Sequence, residues 1–477
     1  MHLVQWLQQA DSEKLAVIEG DLRLTYGQLR QRVAVRAGEL TEQGIERGDR
    51  VAALSANRVE LWELFLACAW VGAIFVPLNT RLTRPEWEVI LSDAQPRLLF
   101  AEDAFLGQAP EHPGLLRLAE VSGPCEPPRP AAGNEPVAIL YTGGTTGVPK
   151  GALLTQDTIH WNARNTVEGW GLRSDDVAPI FTPMFHTGGL NVMATPLLSI
   201  GGTIVLPGPF EPEKALELIE QEGCTLLFLV PTMFTMLADT PGFSAERLSS
   251  VRQMISGGAP CPQPLFERYW KLGLPLRQGY GLTEAGPNNF GITLEEAQTH
   301  LGTVGRPLPH VQIALLDENG AEVGPDQVGE LHIRGGHVMP GYWQRPKESQ
   351  AVLGSGWLRT GDLARRNAEG FVTICGRSKE MYISGGENVF PAEIEEVLLA
   401  HPEVREAAVV GVADPRWGEV GRAYLVCREG ASLTPDDLID FCRGRLARYK
   451  TPKQVVFLEA LPKSSAGKIL KRELANV

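Results

Sequence analysis

At 477 residues the chain exceeds what one hydrophobic core supports, about 250–300 residues, so at least two domains are expected. Its 43% apolar and 21% charged residues are those of a globular protein, and a formal charge of −13 excludes a non-specific nucleic-acid binder, which needs a basic footprint. Seven scattered cysteines without a C-x-x-C pair speak against a disulfide frame or a zinc site and fit reduced thiols in the cytoplasm.

The N-terminal MHLVQWLQQADSEK has neither the basic start nor the apolar core of a signal peptide. Apolar positions at helical spacing follow a cap candidate at Thr25 and stop at Gly44. RVAALSAN (50–57) suits a buried strand. The longest uncharged run, LFLACAWVGAIFVPL (64–78), is shorter than the ~20 residues that span a bilayer. It reads as a buried helix passing through Gly72 into a strand closed by Pro77, so no transmembrane segment is expected. RPEWEVILSDA (84–94) and RLLFAE (97–102) repeat the helix–strand alternation, which predicts α/β layers around a mainly parallel sheet. VSGPCEPPRPAAGNEP (121–136) reads as a surface connection, and PVAILYT (136–142) as a strand feeding the segment YTGGTTGVPKG (141–151).

Alternation resumes with TIVLPG (203–208), EPEKALELIEQEG (211–223), CTLLFLVP (224–231), TMFTMLAD (232–239) and VRQMISGG (251–258). From about residue 300, VQIALLDENG (311–320), GELHIRGG (329–336) and GFVTICGR (370–377) predict a β-rich subdomain of short strands. A last unit of roughly 100 residues, from PAEIEEVLLAHP (391–402) to KQVVFLEALP (453–462), is long enough for its own core. The expected division is 1–377 and 378–477.

Gly143, Gly144 and Gly147 let backbone N–H groups turn inward on an anion, Thr142, Thr145 and Thr146 add hydroxyls, and Lys150 adds charge. A Walker A loop needs glycine before its lysine and Ser/Thr after it; here Pro149 precedes and Gly151 follows. Pro149 also disfavours direct entry into a helix, so the loop is expected to close over phosphates rather than cradle them on a helix end. Alone, such a loop is more often a turn. Further along stand MFHTGGL (184–190), QGYGLTEAGP (278–287), RTGDL (359–363) with GRSKE (376–380), SGGENVFPAEIE (384–395) and PKSSAGKILKREL (462–474).

In this order the motifs resemble the AMP-forming acyl- and aryl-CoA synthetases of the adenylating superfamily, which also holds luciferases and peptide-synthetase adenylation domains. The resemblance runs from about residue 20 to the last helix. It implies a large N-terminal domain of layered α/β sheets with a β-rich subdomain, and a small mobile α+β C-terminal domain. It implies an acid joined to ATP as an acyl-adenylate, whose AMP the coenzyme A thiol then displaces. The 142–150 loop would hold the β- and γ-phosphates, Thr283 the α-phosphate, and Glu284 the Mg²⁺. Asp362 would take the ribose hydroxyls with Arg377 beside it. Gly258, Ala259, Gly279 and Tyr280 would frame adenine near Gln278, and Lys468 would bridge the acyl carboxylate and α-phosphate. Lys379 would be the hinge, and Gly385 and Gly386 would admit the pantetheine arm. His186, Thr187, Gly188, Gly189, Asn191, Gly257, Gly281, Pro287 and Asn288 would line the acyl pocket. Each has a plainer role: Asp362 a turn cap, Glu284 a helix cap, Arg377 a surface pair, Lys379 and Lys468 solvated lysines, His186 a packed core residue.

Departures bear on the acid. Gly144 stands where serine is commoner in the family, and Ile383 where plant hydroxycinnamate ligases often have lysine. Asn288 and Asn289 replace apolar residues, and their amides are free either to bond a polar substituent or to face solvent. Gly188 and Gly189 suggest a long or wide tunnel, which favours a fatty acid, with an aryl acid next and a succinylbenzoate third. No aspartate of the amino-acid-activating type is found, and the nine residues beyond Lys468 leave no room for a carrier domain. A protein that loads a carrier, or only binds nucleotide, is the alternative class; a P-loop NTPase fits poorly. Expected partners are a carboxylic acid, ATP and coenzyme A in the cytoplasm, with a homodimer admitted.

Overall fold

The computed structural model describes residues 3–121, 134–142, 149–463 and 469–474. The first long helix, Tyr26–Glu42, starts at a capping box in which Thr25 and Gln28 satisfy each other's backbone N–H. The apolar run becomes the helix Val59–Val71, ended by Gly72 at φ 79°, and then the strand Ile74–Pro77. These elements build a six-stranded sheet in the order Leu115–Arg117, Leu98–Ala101, Arg50–Leu54, Ile74–Pro77, Pro136–Thr142, Lys150–Thr155. All neighbours are parallel except the last pair. Lys150 therefore opens the returning strand of a hairpin, paired with Thr142, and the glycine-rich segment joins two antiparallel strands.

A second sheet orders Leu22–Thr25, Leu15–Glu19, Thr203–Val205 and Val177–Pro179. Thr225 N donates to Val177 O at 2.9 Å, linking it to the parallel strands Leu226–Leu229, Gln253–Ser256 and Leu276–Gln278. The β-rich stretch is an antiparallel meander of Gln312–Leu316, Val328–Arg334, Leu358–Arg366 and Val372–Arg377.

The chain then enters a separate sheet of Glu387–Val389, Tyr382–Ser384, Gly418–Cys427 and Val404–Asp414, with Gln454–Phe457 added parallel. Helices Pro391–Leu399 and Pro435–Arg443 cover it over a core that includes Tyr382, Ile394, Leu398, Leu425 and Leu438. The whole is α/β, with a large N-terminal and a small C-terminal domain. No helix among the described residues is long and apolar enough to cross a membrane. Most of the proline-rich 121–136 connection lies outside the described residues.

Candidate active site

The parallel strands Gln253–Ser256 and Leu276–Gln278 end side by side, and their C-terminal ends carry Gly257–Ala259 and Gly279–Gly281, where open α/β sheets bind ligands. Gly279 N donates to Ser256 O at 2.7 Å, and a Cβ on Gly279 would stand 2.9 Å from Ile255 Cγ2. Gly258 sits at φ +81°, a backbone that glycine adopts without strain. Gln278 uses its side chain to fasten this turn, accepting from Cys261 N at 3.2 Å and donating to Gly279 O at 3.1 Å.

Two strands of the meander bring Asp362 and Arg377 into direct register. Arg377 Nε lies 2.6 Å from Asp362 Oδ1, and Tyr280 donates its hydroxyl to Asp362 Oδ2 at 2.5 Å. Burial, reinforced by the Asp362 carboxylate, raises the Tyr280 pKa well above its ordinary value, so the phenol stays a donor. Three residues from separate motifs thus form one hydrogen-bonded node, with Asp362 buried and Arg377 partly exposed.

Thr283, Glu284 and Ala285 form a single 3₁₀ turn. The Glu284 carboxylate accepts from Tyr342 Oη at 2.9 Å, and Lys150 Nζ stands 5.6 Å from the centre of the Tyr342 ring. Among the described residues no cluster of three metal-ligating side chains occurs. A Mg²⁺ ion would rest on Glu284 with phosphate oxygens and water completing its shell, a set that this small cation accepts.

On the side expected to hold the acid, His186 precedes the short helix Thr187–Asn191, with its Nε2 buried and without a partner among the described residues. Burial, with Arg81 adding to it, pushes its pKa down to about 4, so the ring is neutral at physiological pH. Gly189 does not open a tunnel: a Cβ there would overlap the Thr182 and Pro183 carbonyl oxygens, so the glycine serves close backbone approach. Gly188 faces Phe228, which would lie 3.6 Å from a Cβ at that position, and the other edge of the same ring would lie 2.8 Å from a Cβ on Gly257. The space expected to be open is bounded by an aromatic ring. Gly281 is likewise a close-approach glycine, against Pro287 O.

Three asparagines turn inward. Asn288 Nδ2 donates to Thr166 Oγ1 at 2.7 Å and to Val192 O at 3.0 Å. Asn289 Nδ2 donates to Gly286 O at 2.9 Å, and its Oδ1 meets His337 Nε2 at 3.0 Å. Asn191 bonds Thr187 at 3.3 Å and Thr195 at 3.0 Å. The Asn288 amide donor ties its segment to the helix Gln156–Trp170 and to the 187–192 segment, while the Asn289 donor closes the 286–289 turn on itself. Neither side chain faces solvent, which removes that half of the expectation, while the buried Asn288 Oδ1 has no hydrogen-bond partner among the described residues.

Lys379 lies in the turn between the meander and the last sheet, where burial and nearby Arg377 lower its pKa. Gly385 and Gly386, at φ +62° and +88°, form the two-residue tip of the hairpin pairing Ser384 with Glu387, a turn that itself demands glycine-like backbone. Gly143, Gly144, Thr145, Thr146, Gly147 and Lys468 lie outside the described residues. The ends flanking Lys468 meet where Lys463 bridges Ile469 and Leu470 N donates to Pro462 O at 2.8 Å. Tyr342 and Phe228 belong to no expected site, although GYW and the aromatic in CTLLFLVP were the available signals.

The chain matches the AMP-binding enzyme family over residues 4–343 and the AMP-binding enzyme C-terminal domain over 393–468. It is 40% identical over 472 residues to feruloyl-CoA synthase from Amycolatopsis sp, covering 96% of this chain and 95% of that one. Indoleacetate–CoA ligase from Aromatoleum aromaticum is 39% identical over 500 residues, with 100% and 98% covered. The structure resembles o-succinylbenzoate CoA synthetase from Bacillus subtilis in complex with its acyl-adenylate intermediate, with a TM-score of 0.90, 31% identity and 99% and 97% covered. The same synthetase with ATP and a magnesium ion matches at 0.89, with 30% identity and 99% of both chains covered. By these matches the chain belongs to the AMP-binding enzymes and is an acid–thiol ligase of the AMP-forming CoA ligase kind.

Proposed function

We propose that this ligase activates an aromatic carboxylic acid. The observation that carries it is the Phe228 ring between Gly188 and Gly257, which puts an aromatic side chain where the glycines were expected to leave open space. Aromatic rings favour offset or edge-on partners by about 0.5–1.5 kcal/mol beyond area burial. The similarity to feruloyl-CoA synthase and indoleacetate–CoA ligase, both named for acids with a ring, supports the same choice. The fatty-acid expectation rested on glycines as open space, and Gly189 is filled by backbone. It is withdrawn in favour of the aryl alternative.

In the first half-reaction the acid's carboxylate oxygen bonds the α-phosphorus of ATP and the bond to the β-phosphate oxygen breaks, releasing pyrophosphate. Both partners are anions, so catalysis is chiefly positioning and charge neutralisation. Asp362 orients the ribose while Arg377 and Tyr280 hold its carboxylate in place. Thr283 donates to the α-phosphate, Lys150 and the 142–147 loop grip the outer phosphates, and Lys468 bridges carboxylate and α-phosphate. Glu284 would hold a magnesium ion, which when bound would supply Lewis-acid neutralisation of the phosphates. In the second half-reaction the coenzyme A thiol gives its proton to solvent, its sulfur bonds the acyl carbon and the bond from that carbon to the phosphate oxygen breaks to release AMP, after the 378–477 unit turns about Lys379 and brings the Gly385–Gly386 tip to the adenylate.

The test is ATP–pyrophosphate exchange across hydroxycinnamic, indoleacetic, succinylbenzoic and fatty acids, followed by AMP release on adding coenzyme A. Exchange confined to ring-bearing acids, with AMP release that needs coenzyme A, is the expected result. Preference for alkyl acids refutes the aryl assignment, and exchange without coenzyme A turnover moves the acceptor to a carrier-bound thiol.

A further inference from the structure

Tyr342 lies outside every motif of the site yet touches two of them. Its hydroxyl donates to Glu284 Oε1 at 2.9 Å, while its ring carries Lys150 Nζ 5.6 Å from the centre. The backbone around it is fixed independently of both contacts. Tyr342 bridges Ala152 in antiparallel register, Leu153 N donates to Gly341 O at 3.0 Å, and Trp343 N donates to Gly151 O at 2.8 Å. Tyr342 N donates to Ser349 Oγ at 2.9 Å, and Met339 N to Glu284 O at 2.8 Å. Residues 339–343 thus run along the strand that begins with Lys150 and are stitched to the backbone of Glu284 itself.

Lys150 and Glu284 carry opposite charges, and no ion pair links them among the described residues. Tyr342 engages each on a different surface, the ring face under the cation and the hydroxyl on the carboxylate. A donor on one oxygen fixes the carboxylate rotamer and leaves the other oxygen for a cation. We infer that Tyr342 is a positioning residue, holding Glu284 ready for the nucleotide's divalent cation and keeping it from neutralising Lys150. This rests on the proposed role of Glu284.

Tyr342→Phe removes the hydroxyl and keeps the ring, so the packing against Lys150 survives. The test is the affinity of Mn²⁺, read by electron paramagnetic resonance titration of the full chain with α,β-methylene-ATP. Losing one hydrogen bond to a charged group predicts a roughly 10-fold weaker Mn²⁺ dissociation constant. Tyr342→Phe added to Glu284→Gln should weaken binding no further than Glu284→Gln alone, a coupling that a merely structural role would not produce. An unchanged or tighter Mn²⁺ constant in Tyr342→Phe overturns the inference, as does full additivity of the two substitutions. Should Glu284→Gln bind Mn²⁺ as tightly as wild type, the cation role of Glu284 itself fails and the inference falls with it.

Discussion

Gly257→Ala probes the aromatic wall directly. A Cβ on Gly257 would stand 2.8 Å from Phe228 Cε2 and 3.4 Å from Cζ. Carbon atoms pack at about 3.5–4.0 Å, so the ring must retreat by roughly 0.7 Å. It can retreat because the facing residue is Gly188, where even an added Cβ would keep 3.6 Å from Cε1. The displaced ring then narrows the acyl slot, and overpacking of this kind costs about 1–3 kcal/mol. Felt in the acid complex, about 1.4 kcal/mol is a tenfold loss, so kcat/KM for an aryl acid should fall about 10-fold. The assay is pyrophosphate exchange at saturating ATP with an aryl acid and with hexanoate, since effects on the adjoining Gly258 are common to both. Phe228→Leu in the Gly257→Ala background should restore part of the loss, and Gly188→Ala should be nearly neutral alone but worse than additive with Gly257→Ala. Equal losses for both acids, or no recovery with Phe228→Leu, would refute Phe228 as the wall of the acyl slot.

Gly189→Ala should lower stability by about 2–3 kcal/mol with no gain of alkyl substrates, because the obstructing atoms are backbone oxygens; urea unfolding checks it. His186 and His337 are both held near a pKa of about 4 by burial. The unfolded chain takes up these protons below pH ~6.5 and the folded chain does not until pH ~4, so their stability is complete above 6.5 and is lost as pH falls toward 4. Each should remove about 2 kcal/mol between pH 7.5 and pH 5, and His337→Gln should flatten that dependence in denaturant titrations. Lys379→Pro should slow coenzyme A-dependent AMP release far more than pyrophosphate exchange; comparable losses in both would discard the hinge.

The pairing of Asp362 with Arg377 was legible in the sequence because both stand on strands of one hairpin. Asp362 and Arg377 face each other because antiparallel register sets them opposite, and a hairpin can be read from turn signals. What the sequence could not convey was which glycines are empty and which are filled. Gly188 and Gly189 are adjacent and identical in type, yet one faces a side chain and the other two carbonyl oxygens, a distinction made only by distant residues 182, 183 and 228. The helix Gln156–Trp170 was equally hidden, because its buried face includes Thr158, Asn162, Asn165 and Thr166 and carries no clean apolar stripe. Those same polar residues explain Asn288. A buried amide needs partners, and the helix supplies Thr166 while the 187–192 segment supplies the Asn191 and Val192 carbonyls. The Asn288 amide nitrogen therefore ties its own segment to that helix and to the 187–192 segment. On the proposed reading, discrimination among acids falls to the ring of Phe228 and to two buried atoms without partners among the described residues, His186 Nε2 and Asn288 Oδ1.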